Sequence, residues 1–420
     1  DLTWEGHAVG GRNQDVRQTL WAKLKGCSAT YEKIPVRIEG ITGQLTYDAS
    51  GTKIDHLAGK RGDASVRLDG AIAPGDDPPF DITVSLSDLP LSEEVVAALP
   101  ARARDLLTES KASGSLHMKG RFELKDDSGG KRRTLYSAEV RLNEVDLDVG
   151  TPLRRMEGRV QLSGEVDAEG HAARGSADIG RVRVNGKLLT KVHGEFVYEE
   201  DRLVFQGLRG DAYEGRIAGE AKFDVPKGTF ETELTISDLD LATFARDTFV
   251  SDKEVAGTMD AHAVVRGDAK DRTTWAGTLD LDIKDGALWE VPLFYRVFSV
   301  LSLSDDRKGA FETGHVESVI HDGRFDVEEM EFESNNVRLE GKGWVGFGGE
   351  LSLQLNSHMK RMGLGPLDPL GALLDPITKN LYAIQAEGTF QEPEMSLRPL
   401  PFLWNEDDGE KKKDDQGSEK

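Results

Sequence analysis

The stretch GTLDLDIKDGALWEVPLFYRVFSVLSL, residues 277 to 303, decides how the rest of this sequence is read. Its first half alternates. Leu279, Leu281 and Ile283 fall on one side of an extended chain and Asp280, Asp282 and Lys284 on the other, the period-two pattern of a half-buried strand. Asp285-Gly286 then supplies turn chemistry. From Pro292, a good first helical residue, the pattern changes period: Phe294, Val297, Phe298 and Leu301 share one face of a short apolar helix. A strand thus delivers a helix that must be buried against something.

Working outward, the same strand pattern fills most of the chain. Ile38, Ile41, Leu45 and Tyr47 begin it, and Phe80, Ile82, Val84 and Leu86 alternate strictly with Asp81, Thr83 and Ser85. Further strands are predicted over residues 114–124, 136–149, 158–166 and 383–390. Between Val327 and Met330 the parity changes, so a bulge at Glu328-Glu329 is needed to keep both on one face. Helices are few. Ser92 caps a Glu93-Glu94 first turn, with Pro100 breaking the helix that follows, and Asp368-Pro369 and Asp375-Pro376 each read as a cap with a first-turn proline. Val16, Leu20, Trp21 and Leu24 stand at helical spacing near the start. Residues 405–420 are almost wholly polar and charged and are expected to be disordered.

An internal repeat organises the first two thirds. Ile41-x-Gly43-x-Leu45-x-Tyr47, Arg61-Gly62-Asp63-Ala64 and Gly70 return as Val192-x-Gly194-x-Phe196-x-Tyr198, Arg209-Gly210-Asp211-Ala212 and Gly219. Leu86-Ser87-Asp88-Leu89-x-Leu91 returns as Ile236-Ser237-Asp238-Leu239-x-Leu241, at a spacing of roughly 150 residues. A weaker echo relates 114–145 to 257–288. One supersecondary unit laid down twice predicts a stacked, elongated architecture.

The composition narrows function by exclusion. A net charge of -22 argues against nucleic-acid binding and against adhesion to an anionic bilayer. Cys27 is the lone cysteine, so no intrachain disulfide forms. There is no apolar run of spanning length, and the opening at Asp1 without Met points to a processed or excised piece. His315 and His321 lack partners at metal-ligand spacing, and Asp280, Asp282 and Asp285 lack the later ligands of a calcium loop. The three Arg-Gly-Asp triplets read as turn chemistry. No nucleophile elbow, phosphate loop or distinguished carboxylate pair is present, so no enzyme, cofactor or metal site is expected.

The apolar face of so many strands needs a cover, and the predicted helices are too short to supply it. Two sheets packed as sandwiches are one answer. The other is a long sheet curled into a half-pipe whose lining is covered by acyl chains.

Several short motifs bear on that choice. Gly277-Thr278-Leu279, Asp285-Gly286-x-Leu288-Trp289-x-Val291-Pro292-Leu293, Asp322-Gly323-x-Phe325, Leu339-x-Gly341-x-Gly343 and Gly388-Thr389-Phe390-x-x-Pro393 stand in an order that resembles the C-terminal region of bacterial AsmA-like proteins. The upstream repeats look like that family's β units. The resemblance implies a mainly β, elongated, twisted antiparallel sheet curled into a groove with a few short apolar helices. It implies a periplasmic location, as part of a protein anchored in the inner membrane through a segment absent from this chain, and a role in phospholipid transport to the outer membrane and in envelope integrity. The partners are then phospholipid acyl chains and other envelope proteins, with no nucleic acid. The expected lining is Leu279, Leu281, Ile283, Phe325, Val327, Met330, Phe332, Val337, Leu339, Leu351, Leu353 and Leu355, capped by the helix carrying Phe294, Val297, Phe298 and Leu301. Repeating units are expected over 1–260, with the internal repeat at about 40–100 and 190–245, a C-terminal module over 261–404 and a tail over 405–420. A second expectation is an assembly factor for outer-membrane proteins that binds partners through sheet edges.

Overall fold

The structure, a computed structural model, describes residues 2–9, 17–31, 34–97, 99, 101–126, 130–168, 170–248, 255–288, 291–300, 311–335, 337–359 and 382–398. The two aspartate-proline helix starts and residues 405–420 lie outside this set. Among the described residues there are twenty-two strands and four short helices, and no helix is long and apolar enough to cross a membrane. The protein is mainly β, antiparallel and not closed into a barrel, as the alternation predicts.

The chain divides into two compact units. Unit 1 is Asp1–Asp252 with Gly257–Asp282 and Val319–Arg324, and unit 2 is Lys253–Ala256, Ile283–Ser318 and Phe325–Lys420. Unit 1 begins with β1 (Leu2–Val9), β2 (Arg17–Tyr31), β3 (Ile34–Asp48), β4 (Gly51–Arg61), β5 (Ala64–Ile72) and β6 (Phe80–Pro90). Helices α1 (Glu93–Ala97) and α2 (Ala101–Glu109) follow, broken where Pro100 was expected to break them. Then come β7 (Ser113–Asp126), β8 (Arg132–Asp148), β9 (Pro152–Val166), β10 (His171–Val184), β11 (Lys187–Glu199) and β12 (Arg202–Ala212). The unit continues with β13 (Gly215–Asp224), β14 (Thr229–Asp240), α3 (Leu241–Thr248), β15 (Ala256–Asp268) and most of β16 (Asp271–Ala287). From β1 to β15 every strand pairs antiparallel with the next.

The helical spacing near the start is overridden. Leu20, Trp21 and Leu24 lie in β2, with Leu24 opposite Leu2 of β1 and Leu20 opposite Tyr47 of β3. Hydrogen-bonded neighbours on both sides outweigh a weak local periodicity.

The repeat is a unit of bulges as much as of strands. The β4–β5 ladder slips between Ile54 and Leu57, and β12–β13 slips between Phe205 and Leu208. The β6–β7 ladder slips between Leu86 and Leu89, and β14–β15 between Ile236 and Leu239. In the last two, Asp88 (φ 51°) and Asp238 (φ 55°) take the left-handed conformation, which aspartate tolerates better than most residues. The Ser-Asp-Leu-x-Leu motif is therefore a bulge, and three of its four leucines bury at the strand end: Leu91 is 8% exposed, Leu239 3% and Leu241 6%, while Leu89 is half-buried. Each bulge frees a backbone N–H, and the neighbouring strand satisfies it. Asp88 N–H donates to His117 Nδ1 (3.3 Å) and Asp238 N–H to Asp260 Oδ1 (2.9 Å). A helix follows in both copies, with Ser92 Oγ accepting from Val95 N–H (3.4 Å) and Asp240 Oδ1 from Thr243 N–H (2.7 Å).

These bulges align Leu57 with Leu208, which places the Arg-Gly-Asp triplets out of step. Arg61-Gly62-Asp63 bridges β4 and β5, whereas Arg209-Gly210-Asp211 lies inside β12, so turn chemistry does not account for the second. Bulged sheets bend and twist. Unit 1 is wound far enough for the β8–β9 turn to reach the β15–β16 turn, where a Cβ on Gly150 would stand 2.0 Å from Ala269 O, and for Lys270 Nζ of the latter turn to lie 3.9 Å from Glu109 Oε2 at the end of α2.

Unit 2 holds the end of β16, helix α4 (Pro292–Val300), most of β17 (Thr313–His321) and β18 (Arg324–Glu333), and β19 (Val337–Gly346), β20 (Glu350–Met359), β21 (Tyr382–Thr389) and β22 (Pro393–Arg398). Strands β19 to β22 pair antiparallel in chain order. Asp285-Gly286 is not a turn. Both residues stay within β16, Asp285 is left-handed (φ 51°), and Gly286 N–H donates to Glu312 O (2.8 Å). In β18 the expected parity change is present: Val327 and Met330 are buried with Glu328 and Glu329 exposed between them.

Candidate functional site

In unit 1 the register sorts side chains into rows that cross the strands. One row runs Val84, Gly120, Ala138, Leu162, Gly175, Phe196, Phe205 from β6 to β12. A neighbouring row on the same face contains Leu86, Met118, Val140, Val160 and Ala177. Apart from Gly120, all of these are only half-buried. In a sandwich the inner face would be fully buried, so among the described residues this face of unit 1 has side-chain neighbours and no second layer over its middle.

Rings and glycines interlock on this face. Phe196, Phe205, Phe223 and Phe230 follow one another across β11 to β14 at centroid distances of 5.9, 6.3 and 6.4 Å, and Trp275 meets Phe230 at 5.3 Å. A Cβ on Gly175 would lie 2.7 Å from the Phe196 ring, one on Gly267 2.7 Å from Trp275, and one on Gly164 2.5 Å from Tyr136 Oη. At these three glycines an aromatic side chain occupies the space a Cβ would take.

The two margins of the face differ. At the helix end Leu91, Val145, Met156, Ile179 and Val182 form a buried cluster against which Leu107 of α2 packs. Helix α3 is fastened there by side chains: Tyr213 Oη donates to the Asp247 carboxylate, Lys187 Nζ donates to Asp247 O (2.8 Å) and Thr248 Oγ1 (2.9 Å), and the Tyr213 and Phe244 rings meet edge-on at 5.4 Å. The hydrogen bond from Tyr213 holds the Asp247 carboxyl below the usual carboxylate range, while burial and that same bond push the Tyr213 phenol up. At the hairpin end the rim is aromatic and polar. Tyr136 Oη and His171 Nε2 are 2.5 Å apart, the His171 and Tyr198 rings are 5.1 Å apart, and Tyr198 Oη donates to Asp201 Oδ1 (2.8 Å). Burial pushes the Tyr136 phenol up.

The opposite face is polar. A depression of about 770 Å³ crosses β6 to β12 there, lined by i, i+2 pairs such as Lys119 and Arg121, Ser137 and Glu139, and Gln161 and Ser163. Its charges are partly matched within the sheet, as where Arg121 donates to both oxygens of Asp81 (2.7 and 2.6 Å). At its β11–β12 end Val197 and Val204 face each other among these polar residues.

The residues expected to line a groove are split between the units. Leu279 and Leu281 are half-buried in β16 of unit 1, and Ile283, at 8% exposure, begins unit 2. Phe325 is half-buried, its ring 5.1 Å from Phe347. Val327, Met330 and Phe332 are buried, and Val337, Leu339, Leu351, Leu353 and Leu355 retain at most 2% of their surface. Their apolar area is already covered by protein. Phe294 of α4 packs against Phe332 (4.5 Å) and Phe311 (5.2 Å), and Val297 has no exposed surface. The Phe298 side chain and Leu301 lie outside the described residues.

The uncovered face was not among the expected lining residues, although its signal was in the sequence: the glycine and alanine of Gly120, Ala138 and Gly175 alternate with larger residues across, not along, the strands. His315 faces Glu317 (3.3 Å) and His321 faces Asp322 (3.2 Å). No protein-family model, curated protein or solved structure matches this chain.

Proposed function

We propose that this chain is a lipid-binding and lipid-conducting β sheet of the bacterial cell envelope, of AsmA-like type, and that it serves phospholipid transport between the inner and outer membranes and envelope integrity. It acts without catalysis. Acyl chains lie on the apolar face of unit 1 and take the place of the missing second layer. The observation that carries this reading is the half-exposure of that face across β6 to β12, where Val140, Val160, Leu162, Phe196 and Phe205 share one side of the sheet. Contiguous apolar surface beyond a few hundred Å² is rare on soluble proteins and marks a binding surface. On this reading the protein is periplasmic and part of an inner-membrane-anchored assembly.

The test is mass spectrometry of lipids carried through detergent-free purification, on the wild-type chain and on Val140→Asp. Phospholipid is expected on the wild type and at least about fivefold less on the variant, since a charge in the row must be desolvated by any chain laid over it. Lipid-free wild-type protein, or equal loading of the two, refutes the proposal.

A further inference from the structure

The two margins of the unit 1 face are chemically unlike, and that difference assigns an orientation to whatever lies on it. Along the middle rows no side chain on this face offers a hydrogen bond: the residues are Val, Leu, Phe, Met, Ala and Gly. The helix end is closed by the cluster of Leu91, Val145, Met156, Ile179 and Val182, each at most 8% exposed. At that end the polar groups of Tyr213, Lys187 and Asp247 are engaged with one another in fastening α3, and the other polar groups of this face stand at the hairpin end. There Tyr136, His171 and Tyr198 touch in series and are half-buried, apolar in body and polar at the tip. Side chains of that kind sit where an apolar environment meets a wet one.

We propose that a phospholipid bound to unit 1 places its polar head at the Tyr136–His171–Tyr198 rim, with its acyl chains directed over the strand centres towards the helix end. This rests on the lipid reading above and adds to it a direction and a head-group subsite. The phenol of Tyr136 and the imidazole of His171 serve as hydrogen-bonding partners for the head, while their rings continue the apolar face.

The experiment uses the full chain loaded with two photoactivatable phosphatidylethanolamines, one carrying a diazirine on the head group and the other at the end of an acyl chain. After irradiation, cross-links are mapped by peptide mass spectrometry. The head probe is expected on peptides around Tyr136, His171 and Tyr198, and the tail probe on mid-strand positions such as Val140 and Val160. The double variant Tyr136→Phe, Tyr198→Phe keeps both rings, and is expected to lower head-probe labelling at the rim about fivefold while leaving the tail map in place. Head-probe labelling at the helix end, or identical maps for the two probes, overturns the orientation while the lipid reading stands. Labelling of neither kind on this face overturns both.

Discussion

The apolar faces of the two units are written in the same alternating code and end in different states. In unit 2 Leu339, Leu353 and Leu355 have no exposed surface, and three phenylalanines from α4, β18 and the chain before β17 interlock over the sheet. In unit 1 Val140, Val160 and Leu162 occupy equally regular positions and remain half-exposed. Alternation thus specifies which side of a strand is apolar, and whether that side becomes a core depends on what is laid against it. Helix α4 (PLFYRVFSV) is apolar on the side it presents to Phe332, whereas α2, of the same length, reads ARARDLLTE, and α1 and α3 are shorter.

The comparison is broken or sharpened first by charge. Leu353→Asp puts an unpaired carboxylate where there is no exposure, and should cost about 4 kcal/mol or more. Val140→Asp, half-exposed, should cost about 1 kcal/mol. Urea denaturation followed by circular dichroism reads both, and equal losses would mean that the unit 1 face is a core after all.

A smaller effect separates backbone from side-chain packing. Gly175→Val sets a Cβ 2.0 Å from Gln161 O and 2.7 Å from the Phe196 ring, and should cost about 2 to 3 kcal/mol, whereas Gly170→Ala meets open space and should cost almost nothing. A thermal shift confined to Gly175→Val would place the tight points of unit 1 at its glycines.

The smallest effect concerns the fastening of α3. Because the Asp247 carboxyl is held low in the folded protein, its contribution is complete above the ordinary carboxylate range and is lost as pH falls through the lowered value. The protection of α3 amides, relative to the intrinsic exchange rate at each pH, should therefore be full at neutral pH and fall only in acid. Tyr213→Phe should lower that protection at neutral pH, by less than about 1 kcal/mol in opening free energy because Asp247 is partly solvated, and should flatten its acid dependence.

Much of the fold was legible residue by residue. Strict alternation over Phe80 to Leu86 and Leu279 to Ile283 marks β6 and β16, and Pro292 with Phe294 and Val297 marks α4. What misled was local chemistry used for a non-local purpose. Asp285-Gly286 carries the left-handed conformation of a turn at Asp285 yet stays within β16, and Arg209-Gly210-Asp211 copies a turn sequence inside a strand. The site was harder to read than the fold. The lining residues chosen from the sequence are the most regularly apolar, and regular apolar strands with a helix beside them are the ones that close into a core. The open face carries glycine and alanine in its rows, a weaker signal that emerges only when the strands are set in register.

The contact of the β8–β9 turn with the β15–β16 turn, seven strands along, joins parts of unit 1 that are far apart in sequence. An aspartate in the left-handed conformation marks a bulge in each copy of the repeat, at Asp88 and at Asp238, and each such bulge bends the sheet where it stands. The bend is thereby copied with the repeat, so duplicating the sequence unit duplicates its curvature as well as its strands.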